Sequence, residues 1–206
     1  MSKADLYDKN DEKFNALTSH MYGLVYKLKE GKEFERYVTD SIISIAKQMN
    51  KKLSILDVGF GPFILDEYLY KRLKESNISF DLYGVEPSES MYKIAIKRAK
   101  KLNADNIWLY IGSCRTFNKE IDSMRFDIIF MTLVFHHIEK KKDCIENLIN
   151  HLNENGLILI YEFNRSPMNI HTMSYEKLSN ILKDIPGIMY DIKEEGVYTF
   201  SRISKA

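Results

Sequence analysis

The stretch Leu53-Ser54-Ile55-Leu56-Asp57-Val58-Gly59-Phe60-Gly61 decides the fold. A short, mostly apolar run bounded by glycine predicts a buried strand over 53–58. Glycines directly behind a strand let the chain turn tightly and bring backbone N–H groups against a ligand at the start of the next helix. That helix is predicted from Leu65, Leu69 and Leu73, with Pro62 near its first turn, where a missing N–H costs nothing.

Strand and helix signals keep alternating downstream. Strands are predicted over 80–86, 107–111, 126–131 and 157–161. Ser88 caps a helix carrying Met91, Ile94, Ala95 and Leu102. Ile145, Leu148, Ile149 and Leu152 mark another helix, which Asn155-Gly156 ends. After a short helix (Leu178, Ile181, Leu182), the β-rich runs 188–192 and 197–203 flank Glu194-Glu195-Gly196 and read as an antiparallel hairpin. Apolar strands separated by helices indicate a mostly parallel sheet covered on both faces. Upstream, Phe34, Val38, Ile42, Ile45 and Met49 place one apolar stripe on a helix of about four turns. The residues before it read as partly helical, with a break around Gly23 and Gly31. Residues 1–52 are therefore expected to form an N-terminal helical lid or cap, not an independent domain, on a core over 53–206.

Composition narrows the function. The 206 residues carry 30 Lys+Arg against 29 Asp+Glu, a formal net charge of +1, so no long-range field draws in a polyanion. With 45% hydrophobic and 29% charged residues, the chain reads as globular. Two cysteines, Cys114 and Cys144, suggest a reducing compartment and no disulfide framework. The first residues lack the apolar core of a signal peptide. The longest apolar stretch, 128–135, falls far below the roughly 18 residues of a membrane span. A soluble, cytoplasmic protein is expected.

The ligand is read from the acids. Glu86, at the tip of the second strand, is placed to accept hydrogen bonds from both hydroxyls of a ribose. A dinucleotide fingerprint needs a glycine where Ile64 stands, which weighs against a nicotinamide-dependent oxidoreductase. Asp57, just before the glycine loop, disfavours a pyrophosphate and suits a cationic ligand. S-adenosylmethionine, with a sulfonium and an ammonium, has the right sign.

From Leu53 to about Ile203 the sequence resembles the class I S-adenosylmethionine-dependent methyltransferases. Residues 55–61 look like the family's first motif, and Tyr83-Gly84-Val85-Glu86-Pro87-Ser88-Glu89-Ser90-Met91 like its second. Residues 126–130 with Leu133-Val134-Phe135-His136-His137-Ile138 are similar to the fourth-strand motif of the small-molecule and quinone-methylating branch. Residues 152–159 look like its turn into strand five, and the terminal hairpin like its strands six and seven. The resemblance implies a three-layer Rossmann-like fold with a seven-stranded sheet and S-adenosylmethionine as cofactor. It implies a cofactor site of Asp57, Gly59, Phe60, Gly61, Glu86, Pro87, Met91, Ser113, Cys114, Met131 and Thr132, with Tyr22 in a lid. Two departures stand out: the usual third loop glycine falls at Phe63, and the usual adenine-binding Asp after strand three is replaced by Gly112-Ser113-Cys114.

Methyl transfer needs a general base only where the acceptor must lose a proton. His136, after strand four, and Tyr161, at the end of strand five beside Glu162, are the candidates. Adjacent residues point in different directions, so at most one of His136 and His137 is expected to face the ligand. His136, His137, Cys114 and Cys144 do not form a paired-ligand zinc pattern, and no metal is expected. The basic runs 97–101 and 140–142 read as solvated helix faces. With no Asn-Pro-Pro-Tyr motif, the acceptor is expected to be a small molecule, selected by the first 52 residues and the loops after strands four and five. An RNA or protein acceptor, and a silent fold that binds the cofactor without transferring a methyl, stay open.

Overall fold

The computed structural model describes residues 29–165 and 172–206. The elements in chain order are α1 (Lys29–Met49), β1 (Leu53–Val58), α2 (Ile64–Glu75), β2 (Phe80–Glu86), α3 (Glu89–Lys100), β3 (Ile107–Ile111) and α4 (Lys119–Asp122). They continue with β4 (Phe126–Thr132), a 3-10 turn (Phe135–His137), α5 (Lys141–Asn150), β5 (Leu152–Phe163), α6 (Tyr175–Leu182), β6 (Ile188–Glu195) and β7 (Tyr198–Lys205). The seven strands pair in the order β3-β2-β1-β4-β5-β7-β6. The first five are parallel, while β7 lies antiparallel between β5 and β6. This is the expected α/β architecture with its terminal hairpin. Strand order reverses between β1 and β4, and a doubly wound sheet opens a crevice at the carboxyl ends of such a pair.

Alternation along each strand divides the core in two. Leu53 and Ile55, Ile128 and Phe130, and Leu159 and Tyr161 face α1, α2 and α3. Leu56 and Val58, Ile129 and Met131, and Ile158 and Ile160 face α5 and α6. The predicted stripe of α1 is buried as expected at Phe34, Val38, Ile42 and Ile45. The helix also runs through Gly31, where a break was expected. Full burial of side chains this size stabilises by about 1.5–3 kcal/mol each, so α1 is built into the sheet's own core. Ser88 caps α3 as predicted, accepting from Met91 N–H at 3.4 Å.

Two expectations are corrected. Leu152, which fits helical spacing, begins β5 by pairing with Phe126, and α5 ends at Asn150. Asn155 (φ 63) and Gly156 then sit at an irregularity within β5, where a side chain on Gly156 would meet the Phe126 carbonyl at 2.8 Å. The cysteines, expected to be free, form a disulfide, Cys114–Cys144, with Cα atoms 5.2 Å apart. It joins the loop after β3 to α5.

At the amino end of β4, Asp127 binds three groups at once. It accepts from Lys51 Nζ at 2.6 Å, Ser54 N–H at 2.9 Å and Asn153 Nδ2 at 2.7 Å. Burial works to raise its pKa, but these bonds together outweigh burial and hold it below the usual carboxylate range. A depressed folded-state pKa gives stability that is present above the unfolded value and lost as pH falls through the folded one. Asp127→Ala leaves the Ser54 N–H and the Asn153 amide without their acceptor and should cost about 2–3 kcal/mol. Urea unfolding should show a lower midpoint at pH 7 with an unchanged slope, and the difference from wild type should shrink below about pH 4.

Candidate functional site

The crevice at the β1–β4 reversal is a cavity of about 110 Å³, open to solvent. Its floor is the glycine loop. Gly59 (φ 84) and Gly61 (φ 54) take the left-handed conformation that glycine alone adopts without strain. Gly59 has a second reason to lack a side chain: a Cβ there would lie 2.6 Å from Val134 Cγ2. Phe63, the departure from the usual glycine, is itself left-handed at φ 62 and ψ 33. A left-handed conformation costs a non-glycine residue about 1–2 kcal/mol. Burial of the whole ring, edge-on to Phe60, offsets that cost. The loop therefore keeps its turn by packing instead of by glycine.

Glu86 holds the rim. Its Oε2 accepts from Gly61 N–H and its Oε1 from Ser88 N–H, both at 2.9 Å. The acid at the end of β2 is thereby oriented by the glycine loop on one side and by the start of α3 on the other. Of the residues expected at the cofactor, Asp57, Gly59, Phe60, Gly61, Glu86, Pro87, Met91 and Thr132 all line the cavity. Thr132 Oγ1 and Asp57 Oδ1 are buried without a hydrogen-bond partner among the described residues.

Four expectations place differently. Ser113 turns to Thr116, with its hydroxyl 3.3 Å from Thr116 Oγ1, and does not line the cavity. Cys114 is buried in the disulfide, and Met131 points to the α5 face, because alternation along β4 puts Thr132 on the cavity side. Tyr161 is fully buried on the α1 face, donates to Ser41 Oγ at 3.0 Å and stacks on Phe200. Burial pushes its phenol pKa up. It is a core residue without access to an acceptor. Tyr22 lies outside the described residues.

The histidines part company as expected, but His137 lines the cavity instead of His136. His136 folds back onto Glu162, whose Oε2 lies 2.6 Å from His136 Nδ1 and whose Oε1 accepts the His136 backbone N–H at 3.1 Å. The two imidazole rings lie 3.9 Å apart. Glu162 is 1% exposed and occupies the position after Tyr161, so the pleat turns it away from the α1 face. The pair sits immediately behind the cavity wall. Sequence reasoning missed Pro62, Ile64, Leu65, Leu133 and Val134 as lining residues, and of the two histidines it chose His136 where His137 lines the cavity. Leu133 is left-handed (φ 56), a conformation no local signal announces for leucine, and it brings Val134 onto Gly59.

The cavity suits the ligand that the sequence resemblance implies. It has an apolar slot beside Met91 and Pro87 for a flat base and an oriented acid for a ribose. A buried carboxylate, Asp57, whose Oδ1 has no donor among the described residues, suits a cationic end.

The comparisons agree with this geometry. A family profile described as a methyltransferase domain matches residues 49–198. The ubiquinone biosynthesis O-methyltransferase of Rickettsia conorii is 25% identical over 198 residues, covering 82% of this chain and 62% of that protein. A malonyl-[acyl-carrier protein] O-methyltransferase of Ilyobacter polytropus is 26% identical over 164 residues, covering 76% of this chain and 54% of that protein. The chain thus spans less than two thirds of the length of either relative. A crystal structure of a SAM-dependent methyltransferase from Aquifex aeolicus shares the fold, with TM-score 0.66 and 21% identity over 88% of this chain and 96% of that one. A glycine loop, an oriented acid at the end of β2 and a profile match over more than half the sequence converge, and the chain belongs to the methyltransferase-domain family.

Proposed function

We propose that the chain is an S-adenosylmethionine-dependent methyltransferase acting on a small-molecule acceptor. The observation that carries this reading is the cavity at the β1–β4 reversal, where Glu86, the glycine loop and the buried Asp57 share one wall. When bound, the cofactor supplies an activated methyl group on a sulfonium. The protein's task is then placement and exclusion of water, which together are worth about 7–11 kcal/mol in favourable cases. Glu86 holds the ribose end and Asp57 the ammonium end, while Leu133, Val134 and His137 wall the side toward the acceptor.

Removal of a proton from the acceptor falls to the histidine turn. Glu162 fixes His136 Nδ1 and so sets which ring nitrogen is basic. It also holds the backbone of the turn that places His137 on the wall. Lys141, whose Nζ bonds the Ile138 carbonyl, closes the turn from the α5 side. Burial lowers its pKa. A small acceptor is supported by the names of the relatives and by the near-zero net charge.

Calorimetric titration with S-adenosylmethionine tests the cofactor. Binding is expected, and neither heat nor a thermal shift at millimolar ligand would sink the reading. Gly59→Ala drives a methyl group into Val134 and should weaken S-adenosylhomocysteine binding by about tenfold or more, since a clash of that size costs about 1–3 kcal/mol. Glu162→Gln and His136→Gln should each lower kcat by about 100-fold while leaving cofactor affinity within about twofold. An unchanged kcat in both variants would leave His137, the histidine on the cavity wall, acting without His136 and Glu162, or hand the proton to water.

A further inference from the structure

Asp57 and Asp66 meet inside the protein with nothing to join them. Asp57 is 2% exposed on β1 and Asp66 is 1% exposed in the first turn of α2. Their carboxylates face each other at hydrogen-bonding range. Even so, Asp57 Oδ1 and both Asp66 oxygens are buried without a donor among the described residues. Ionised carboxylates only accept hydrogen bonds, so two of them in contact repel and make no bond, whereas one proton between them creates a bond and removes the repulsion.

Backbone N–H groups, Val58's toward Asp57 and Asp66's own, relieve the pair in part, and no charged side chain does so among the described residues. From β2, Glu86 adds a third negative charge. From the turn after β4, His137 lines the same cavity. The helices packed against α2 spend their charges elsewhere on it. Arg98 of α3 binds Glu67 at 3.2 Å, and Asp40 of α1 binds Arg72 at 2.7 Å. Asp57 opens onto the cavity wall, and Asp66 stands behind it.

We propose that Asp57 and Asp66 hold one proton between them in the ligand-free protein and release it to solvent when a cationic ligand enters, with Asp66 as a positioning residue acting through Asp57. The ligand's ammonium then supplies the N–H donors and the positive charge that the shared proton supplied before. The proposal rests on the cofactor reading above and adds the group that makes cofactor binding depend on pH. Burial raises both acids, Asp57 well above the usual range and Asp66 to about 7, with each carboxylate in contact with the other. The proton is therefore in place through the mildly acidic range.

S-adenosylhomocysteine, which keeps the ammonium and lacks the sulfonium, is the probe. Calorimetry at pH 6 in two buffers of different ionisation enthalpy should report about one proton released per ligand bound. The dissociation constant should weaken about tenfold per pH unit on the acid side. In Asp66→Asn the amide donates permanently to Asp57. Proton release should fall toward zero, and affinity should be flat from pH 6 to 7. Thermal melts without ligand give a second readout. An acid whose pKa is raised in the folded state contributes stability that is complete below its unfolded value and is lost as pH rises through the folded one. Wild type should thus lose melting temperature between about pH 4 and 7 relative to Asp66→Asn. A wild type that releases no proton overturns the proposal. So does an equal release in Asp66→Asn, which would assign the proton to His137, or melts of the two proteins that run parallel with pH. If S-adenosylhomocysteine binds neither protein but the melts diverge as described, the cofactor reading fails and the shared proton stands.

Discussion

The sheet is clamped at one end so that it can open at the other. Asp127 ties the entry to β1, the amino end of β4 and the start of β5 through Ser54, Lys51 and Asn153. Two of those strands, β1 and β4, carry the cavity at their opposite, carboxyl ends. With the register fixed by a buried, multiply bonded carboxylate, the far ends can diverge into loops without loss of pairing. Among the described residues, the two left-handed positions held by neither glycine nor asparagine, Phe63 and Leu133, both lie where the chain leaves β1 and β4. Strain gathered at one rim and tolerated by a well-packed frame is the usual arrangement of a binding site.

Much of this was readable in the residues, for identifiable reasons. β1, β2 and β3 are apolar runs punctuated by glycine, proline or polar turns, and they appear in the structure with the predicted bounds. The start of β5 was misread because Leu152 continues the spacing of Ile145 and Leu148, and only its partner Phe126 makes it a strand. Alternation says that Tyr161 and Glu162 face opposite ways but not which way. The packing of α1 decides that, and it sends the tyrosine into the core. A 3-10 turn at 135–137 puts His137, and not His136, on the cavity side. Cys114 and Cys144, 30 positions apart in sequence, meet only because α5 crosses the loop after β3. The candidate site was legible where its residues follow strands directly. It was not legible where a non-glycine left-handed residue such as Leu133 sets the wall.

The acids along the cavity illustrate the cost of a binding site. Asp57, Asp66 and Glu86 gather negative charge in a place where burial makes it expensive, and no lysine or arginine answers Asp57 or Asp66 among the described residues. A buried charge without a partner destabilises a fold by several kcal/mol unless a proton or a ligand neutralises it. Stability in the ligand-free state and affinity for a cation are here opposing uses of the same groups.

Phe63 carries a consequence of a different kind. Glycine at a left-handed turn is indifferent to what surrounds it, and a loop built that way can drift in shape while the interior stays fixed. A phenylalanine held in that conformation by its own burial makes the ligand loop an extension of the α1–α2–α3 interior. Changes at distant interior positions such as Leu69 or Ile42 then reach the loop through the ring. In evolutionary terms the two cannot be tuned separately: a lineage that repacks this interior also resets the grip on its ligand.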